Sequence, residues 1–228
     1  MTSFRLPRLG TTENPIKIGI FISGSGSGMK ALLNYQNLNK NCFHKTVLVF
    51  SNRRDAKGVG KAAGKNIQTS VIELPKESDK EKSRGLHEEL IQLELEKYGV
   101  ELIVLSGYMR ILSPSFVKKW IGRLINIHPS LLPNFPGAHA HKEVLAAGVP
   151  ESGCTVHFVD DGVDTGPIIA QEKVEVFSED TLEDLQNRVK EKEHMIYPKV
   201  IDALSEGRIK INSSGKVIIQ DHSDNLNF

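Results

Sequence analysis

Residues 16–33 read IKIGIFISGSGSGMKALL: an apolar run, five small residues, and then a stretch without proline or glycine. An apolar run of this length, rich in β-branched residues, is typical of a strand buried on both faces of a parallel sheet. The glycines indicate a tight turn, and the composition of Met29–Leu38 favours a helix. We therefore predict a strand over Ile16–Ser23, a turn over Gly24–Gly28 and a helix after it.

Strands and helices are predicted to alternate through the rest of the first half. The predicted segments are strands over Val47–Phe50, Ser70–Leu74 and Leu102–Leu105, and a helix beginning within Gly58–Ala63. The charged residues 75–85 are predicted to be a solvated loop, and Leu86, Leu90 and Leu93 have the spacing of the inner face of a helix. Repeated βα units predict a doubly wound, mostly parallel sheet.

The second half predicts a mixed C-terminal portion. Its predicted segments are strands over Leu124–His128, Thr155–Val159 and Ile168–Val176, a helix capped by Thr181, and a terminal hairpin in RIKINSSGKVII, residues 208–219. The predicted fold class is therefore α/β, with one domain over residues 16–228 that follows an N-terminal tail, residues 1–15.

Composition excludes several classes of protein. The 29 Lys and Arg residues nearly balance the 28 Asp and Glu residues, so the broad basic field of a nucleic-acid binder is missing. No apolar run approaches the ~20 residues of a transmembrane helix. Cys42 and Cys154 lie too far apart in sequence for a zinc knuckle. We expect a soluble, cytoplasmic protein without nucleic-acid or membrane partners; an organelle is the alternative if residues 1–15 are a transit remnant.

The glycine loop predicts a phosphate site. Small residues let the backbone approach a ligand, and free amides at the start of a helix attract phosphate. The alternative is a tight turn without a ligand. The spacing Gly26-x-Gly28-x-x-Ala31 also fits a loose dinucleotide motif, and Arg53-Arg54 after the second strand would suit a 2′-phosphate. An NADP-binding oxidoreductase is therefore one alternative function.

Asn126 and His128 predict chemistry at the end of a strand. Residues i and i+2 point to the same face, and a carboxamide beside an imidazole suits acyl transfer, where one group stabilises an oxyanion and the other moves protons. Asp164, in the acidic turn DDGVDTG, is predicted to orient His128 and to raise its pKa by more than burial lowers it. His139, His141 and His157 lack convincing metal-ligand spacing, so no metal is predicted.

Four segments, taken in order, resemble the phosphoribosylglycinamide formyltransferase family, the folate-dependent transformylases of purine synthesis. The segments are IGIFISGSGSGMKALL (18–33), SGYMRILSPSFV (106–117), INIHPSLLPNFPGAHAH (125–141) and GCTVHFVDDGVDTGPIIAQ (153–171). The resemblance covers about residues 16–220 and implies transfer of a formyl group from 10-formyltetrahydrofolate, as co-substrate, to the amine of glycinamide ribonucleotide. It requires no metal, and it leaves open whether the chain is a monomer or a homodimer.

The resemblance also implies site residues, position by position. The implied catalytic residues are Asn126, His128 and Asp164. The implied ribonucleotide-binding residues are Gly26, Ser27, Gly28, Met29, Lys30, Lys190, Glu191, Lys192 and Glu193. The implied folate-binding residues are Arg84, Met109, Arg110, Ile111, Leu112, Asn126, Asp160, Asp161, Gly162, Val163 and Asp164. These divide the domain into a phosphate-binding half, about 16–107, and a folate and catalytic half, about 108–220. Gly28 departs from the asparagine usual in the family.

Two relatives with the same chemistry are disfavoured by length. A formyltetrahydrofolate deformylase, which uses water as acceptor, is expected to carry an extra N-terminal domain, and only fifteen residues precede the first predicted strand. A methionyl-tRNA formyltransferase is expected to carry a C-terminal RNA-binding domain, and 64 residues follow Asp164.

Overall fold

The computed structural model describes residues 4–212 and 215–220. Its strands are β1 Ile16–Ile22, β2 His44–Ser51, β3 Thr69–Val71, β4 Leu102–Leu105, β5 Leu124–His128, β6 Glu151–Phe158, β7 Ile168–Glu175, β8 Ile209–Ile211 and β9 Val217–Ile219. Its helices are α1 Ser27–Leu38, α2 Lys57–Ala63, α3 Lys80–Lys97, α4 Pro114–Trp120, α5 Ala140–Ala147 and α6 Leu182–Ser205.

Seven strands form one twisted sheet in the order β3-β2-β1-β4-β5-β6-β7. The strands from β3 to β5 are parallel, whereas β6 and β7 add antiparallel to that edge. This arrangement confirms the predicted α/β class, and β8 pairs with β9 in the predicted terminal hairpin, whose turn residues 213–214 lie outside the described part. The strand order reverses between β1 and β4, and open α/β sheets bind ligands beyond the carboxyl ends of such strands.

Both faces of the sheet are buried, as the continuous apolar strands predicted. Ile18, Ile20 and Ile22 of β1 belong to a core that α1 and α6 cover. Phe21, on the opposite face of β1, belongs to a second core that α3 and α4 cover, with Trp120 among its members. Alternate residues of one strand therefore serve two separate cores.

The predictions for the region before β4 are wrong in two respects. Helix α3 begins inside the predicted loop, because the Asp79 side chain accepts hydrogen bonds from the amides of Glu81 and Lys82. The leucine stripe does not face the core, since Leu90 and Leu93 are exposed. The inner face of α3 instead carries the set Ser83, His87, Glu88, Ile91 and Leu95. Three of these five are polar, so apolar spacing alone selected the wrong face.

Residues 4–15 form no helix or strand, yet they contact the domain. The Phe4 ring packs edge-on against Phe158 with centroids 5.7 Å apart. Arg8 forms an ion pair with Glu101 at 2.6 Å. The Gly10 amide donates a hydrogen bond of 2.8 Å to the Ser205 carbonyl at the end of α6.

None of the described helices is long and apolar enough to cross a membrane. The cytoplasmic location stays a prediction.

Helix α6 supplies a direct test of local stability. The Thr181 hydroxyl accepts from the Asp184 amide at 3.2 Å, and the Asp184 carboxylate accepts from the Thr181 amide at 3.0 Å, which completes the predicted capping box. We expect Thr181→Ala to lower the free energy of unfolding by about 1 kcal/mol in urea titrations followed by circular dichroism. Thr12→Ala is the control, because among the described residues the exposed Thr12 hydroxyl donates only to Glu13. Equal losses in the two variants would contradict the capping role.

Candidate active site

A cavity of about 690 Å³ opens at the carboxyl ends of β1, β4 and β5. It therefore lies at the edge of the sheet where the strand order reverses. Of the residues implied by the family resemblance, those that line it are Gly26, Ser27, Gly28, Met109, Arg110, Ile111, Leu112, Asn126, His128, Asp160, Gly162, Val163, Asp164, Lys190 and Glu193. Those that do not are Met29, Lys30, Arg84, Asp161, Glu191 and Lys192. The binding roles of both groups stay predictions.

The glycine loop forms one wall of this cavity. Gly26 precedes α1 with a φ of 65°, a left-handed conformation that favours glycine, and it supplies no side-chain cap. The amides of the first turn of α1 therefore stay available to a ligand. The Gly58 amide donates a hydrogen bond of 3.0 Å to the Gly24 carbonyl and so stabilises the loop.

His128 and Asp164 meet as predicted. The Nδ1 atom of His128 lies 3.2 Å from a carboxylate oxygen of Asp164. The Nε2 atom lies 2.8 Å from the Phe135 carbonyl oxygen. The Gly137 amide donates to the same Asp164 oxygen at 2.8 Å, so the loop before α5 fixes both partners.

Asn126 is held on the same face by two contacts. Its amide nitrogen lies 3.2 Å from His157 Nε2 and 3.5 Å from the second oxygen of Asp164. His157 lies opposite Asn126 in the β5–β6 register, and its Nδ1 is 2.9 Å from the Phe158 carbonyl. Since a carbonyl only accepts, His157 Nδ1 carries a proton. Its Nε2 faces both the Asn126 amide and, at 3.5 Å, the same Asp164 oxygen. The contact of 3.5 Å between Asn126 and Asp164 is weak, so a substrate oxyanion is able to replace it.

The electrostatics of this cluster differ from the sequence prediction at one residue. Burial acts to raise the pKa of Asp164, but hydrogen bonds from His157 and the Gly137 amide, with the attraction of both histidines, bring that pKa down to about 2. Burial lowers the pKa of His128, and the opposing effects of the Phe135 carbonyl and Asp164 are smaller. The predicted increase in the His128 pKa is therefore wrong, because the ring lies deeper than the sequence indicated.

The wall built from residues 109–112 and 160–164 carries four apolar side chains among its charged ones. Met109, Ile111 and Val163 are exposed to the cavity mouth, with relative exposures of 69%, 67% and 50%. Leu112 lies beneath them in the core. Large apolar side chains that stay exposed around a cavity are typical of a surface for a flat organic ligand.

Another part of the cavity lining consists of residues from α5 and α6. Burial raises the pKa of the Glu193 carboxyl to about 7. Burial, together with the charges of Lys190 and His128, lowers the pKa of His141 to about 4. His194 and Tyr197 also belong to this part of the lining and were not predicted. Their spacing in the sequence could have identified them, because Lys190, His194 and Tyr197 occur at i, i+4 and i+7 and so share one face of α6.

A separate cluster of possible metal ligands lies outside the cavity. Ligand atoms of Cys42, His44 and Asp202 lie within 4.8 Å of one another. Gln36 Oε1 accepts from the Thr46 hydroxyl at 2.9 Å, which turns its amide nitrogen toward His44 Nδ1 at 2.8 Å. His44 Nδ1 therefore accepts, and Nε2 carries the proton that it donates to Asp202 at 3.0 Å. A metal at Nε2 would have to displace that proton, so we expect a hydrogen-bonded cluster.

The two arginines that suggested a 2′-phosphate site have other partners. Arg53 pairs with Asp55 at 2.6 Å, and Arg54 pairs with Glu73 at 2.7 Å. Neither arginine lines the cavity. The two arginine charges that favoured a dinucleotide cofactor are therefore not part of the cavity beside the glycine loop.

Comparisons with known proteins agree with this geometry. The formyl transferase family model matches residues 16–201. The phosphoribosylglycinamide formyltransferase of Escherichia coli is 42% identical over 200 residues, which cover 87% of this chain and 92% of that protein. The trifunctional purine biosynthetic protein adenosine-3 of Gallus gallus is 45% identical over 204 residues, 90% of this chain but 20% of that protein. This chain therefore spans about a fifth of the chicken relative.

A solved structure extends the similarity to the fold. The crystal structure of phosphoribosylglycinamide formyltransferase from Anaplasma phagocytophilum superposes with a TM-score of 0.84 at 36% identity. The match covers 93% of this chain and 97% of that one.

The proximity of Asp164 and His128 predicts a measurable coupling. Asp164→Asn removes a negative charge 3.2 Å from His128 Nδ1, so we expect the pKa of His128 to fall further. An NMR titration of the imidazole resonances measures this shift. Asn126→Ala removes only a neutral neighbour and is expected to change that pKa much less. The same His128 pKa in Asp164→Asn and the unaltered protein would contradict the coupling.

Proposed function

Because the chain belongs to the formyl transferase family, we propose that it transfers the formyl group of 10-formyltetrahydrofolate to the amine of glycinamide ribonucleotide, a step of de novo purine biosynthesis. The observation that carries the proposal is the meeting of Asn126, His128 and Asp164 at the end of β5, beside a glycine loop in the same cavity.

The two substrates approach this cluster from different walls. The ribonucleotide phosphate binds the amides of the first turn of α1, with Lys190 and Glu193 of α6 near the sugar. The folate ring lies against Met109, Ile111 and Val163, where apolar contacts hold its flat face. This division places the amine and the formyl carbon together above His128.

Transfer needs one bond to form and one to break. The substrate amine attacks the formyl carbon, and the carbonyl electrons move onto oxygen to give a tetrahedral oxyanion. The Asn126 amide, released from its contact of 3.5 Å with Asp164, donates to that oxyanion. When the intermediate collapses, the bond from carbon to N10 breaks, and N10 takes up the proton that the amine has lost.

His128 is suited to carry that proton. Both oxygens that face its ring, on Phe135 and Asp164, accept hydrogen bonds only. A neutral ring satisfies one of them and a protonated ring satisfies both. Since burial keeps the free imidazole largely neutral at pH 7, the ring is able to take the amine proton and then pass it to N10.

The reaction is tested by product analysis with the purified protein. With both substrates, we expect one formylated ribonucleotide for each tetrahydrofolate released. With formyl-folate alone, we expect negligible release. Rapid release without ribonucleotide would instead identify a deformylase that uses water as the acceptor.

The role of His128 is tested by its removal. We expect His128→Ala to reduce kcat by roughly 10²–10⁴ while the affinity for folate stays close to that of the unaltered protein. His139→Ala removes an exposed histidine that does not line the cavity and serves as the matched control. A kcat for His128→Ala within threefold of the control would exclude proton transfer by His128.

A further inference from the structure

Ser106 lies where β4 ends and contacts the first turn of α1. Its amide donates to the Phe21 carbonyl at 2.9 Å, which extends the β1–β4 pairing by one residue. A Cβ atom built on Gly28 would lie 2.5 Å from the Ser106 hydroxyl oxygen, much closer than real side chains approach. The hydroxyl of Ser106 thus occupies the space that a side chain at position 28 would use.

The surrounding loops fix this position. The Ser23 amide donates to the Gly107 carbonyl at 3.0 Å, and the Met109 amide donates to the Ser23 hydroxyl at 2.8 Å. The Ser23 hydroxyl in turn donates to Asn52 at 2.6 Å. The segment after β4 is therefore tied by two hydrogen bonds to Ser23, the residue before the glycine loop.

Unlike Ser23, Ser106 keeps its hydroxyl without a partner among the described residues. It is partly buried, and it lines the cavity beside Ser27 and Gly28. A hydroxyl held rigidly at the edge of a cavity, next to free helix amides, is a ready hydrogen-bond donor for an anion.

We propose that Ser106 is a ribonucleotide-binding residue: its hydroxyl donates a hydrogen bond to the phosphate bound at the first turn of α1. This inference rests on the proposed function. Gly28 and Ser106 form one unit, in which glycine at position 28 leaves the space that the hydroxyl from β4 fills. The donor that position 28 lacks is supplied from the neighbouring strand.

Removal of the hydroxyl tests this role. We expect Ser106→Ala to raise the KM for glycinamide ribonucleotide roughly tenfold or more, as for a lost hydrogen bond to a charged group. The values of kcat and of KM for formyl-folate are expected to stay near those of the unaltered protein. Ser152→Ala, which removes a buried hydroxyl that also lacks a partner but lies outside the cavity, is the matched control.

Substitutions at position 28 separate this role from a general disturbance. Gly28→Ala is expected to displace the Ser106 hydroxyl and raise the ribonucleotide KM. In a Ser106→Ala background the nearest remaining atom, Ser106 Cβ, lies 3.8 Å away, so the same change is expected to add little. Gly28→Ser in that background returns a hydroxyl to the shared space, and we expect the KM to move back toward the value of the unaltered protein.

The outcomes distinguish this inference from the proposed function. An unaltered protein that forms no formylated ribonucleotide would refute the function. An active unaltered protein with the same ribonucleotide KM as Ser106→Ala would refute only the role of Ser106. A double variant Gly28→Ser/Ser106→Ala no better than Gly28→Ala/Ser106→Ala would also overturn it.

Discussion

The carboxylate of Asp164 connects three segments that are distant in sequence. One oxygen accepts from the Gly137 amide and faces His128, and the other faces Asn126 and His157. A buried carboxylate without such partners would be neutralised, because transfer of an unpaired charge out of water is costly. Here the partners keep its pKa near 2, so the charge persists and orients the surrounding groups.

The backbone at Asp164 is part of this arrangement. Its φ of 54° is uncommon for a residue other than glycine, although aspartate tolerates it better than most. The turn between β6 and β7 therefore adopts a less favourable conformation that aims the carboxylate back at β5. The hydrogen bonds to Gly137 and the histidines offset that cost. Because the same contacts hold His128, the conformation of this turn and the geometry of the proposed catalytic cluster are linked.

Sequence alone gave a sound prediction where the signal is local. The strand, the glycine turn and the helix at 16–38 were predicted from an apolar run and from the conformational freedom of glycine. The shared face of Asn126 and His128 was predicted from the alternation of side chains along a strand. The direction of the His128 pKa depends on burial by distant residues, which no local pattern contains. Likewise, Glu88 is buried on α3 because it accepts from the Ser113 amide at 2.7 Å, a contact between residues 25 positions apart.

The same distinction applies to the glycine loop. When the loop is compared position by position with the family, glycine in place of the usual asparagine at position 28 suggests a lost side-chain contact. The sheet order, however, places β4 directly beside β1, so the residue after β4 lies against the helix that follows β1. A contact missing from one chain position is then open to replacement from the adjacent strand, provided that position 28 stays small enough to admit it. The composition of a binding loop is therefore understood only together with the end of its neighbouring strand.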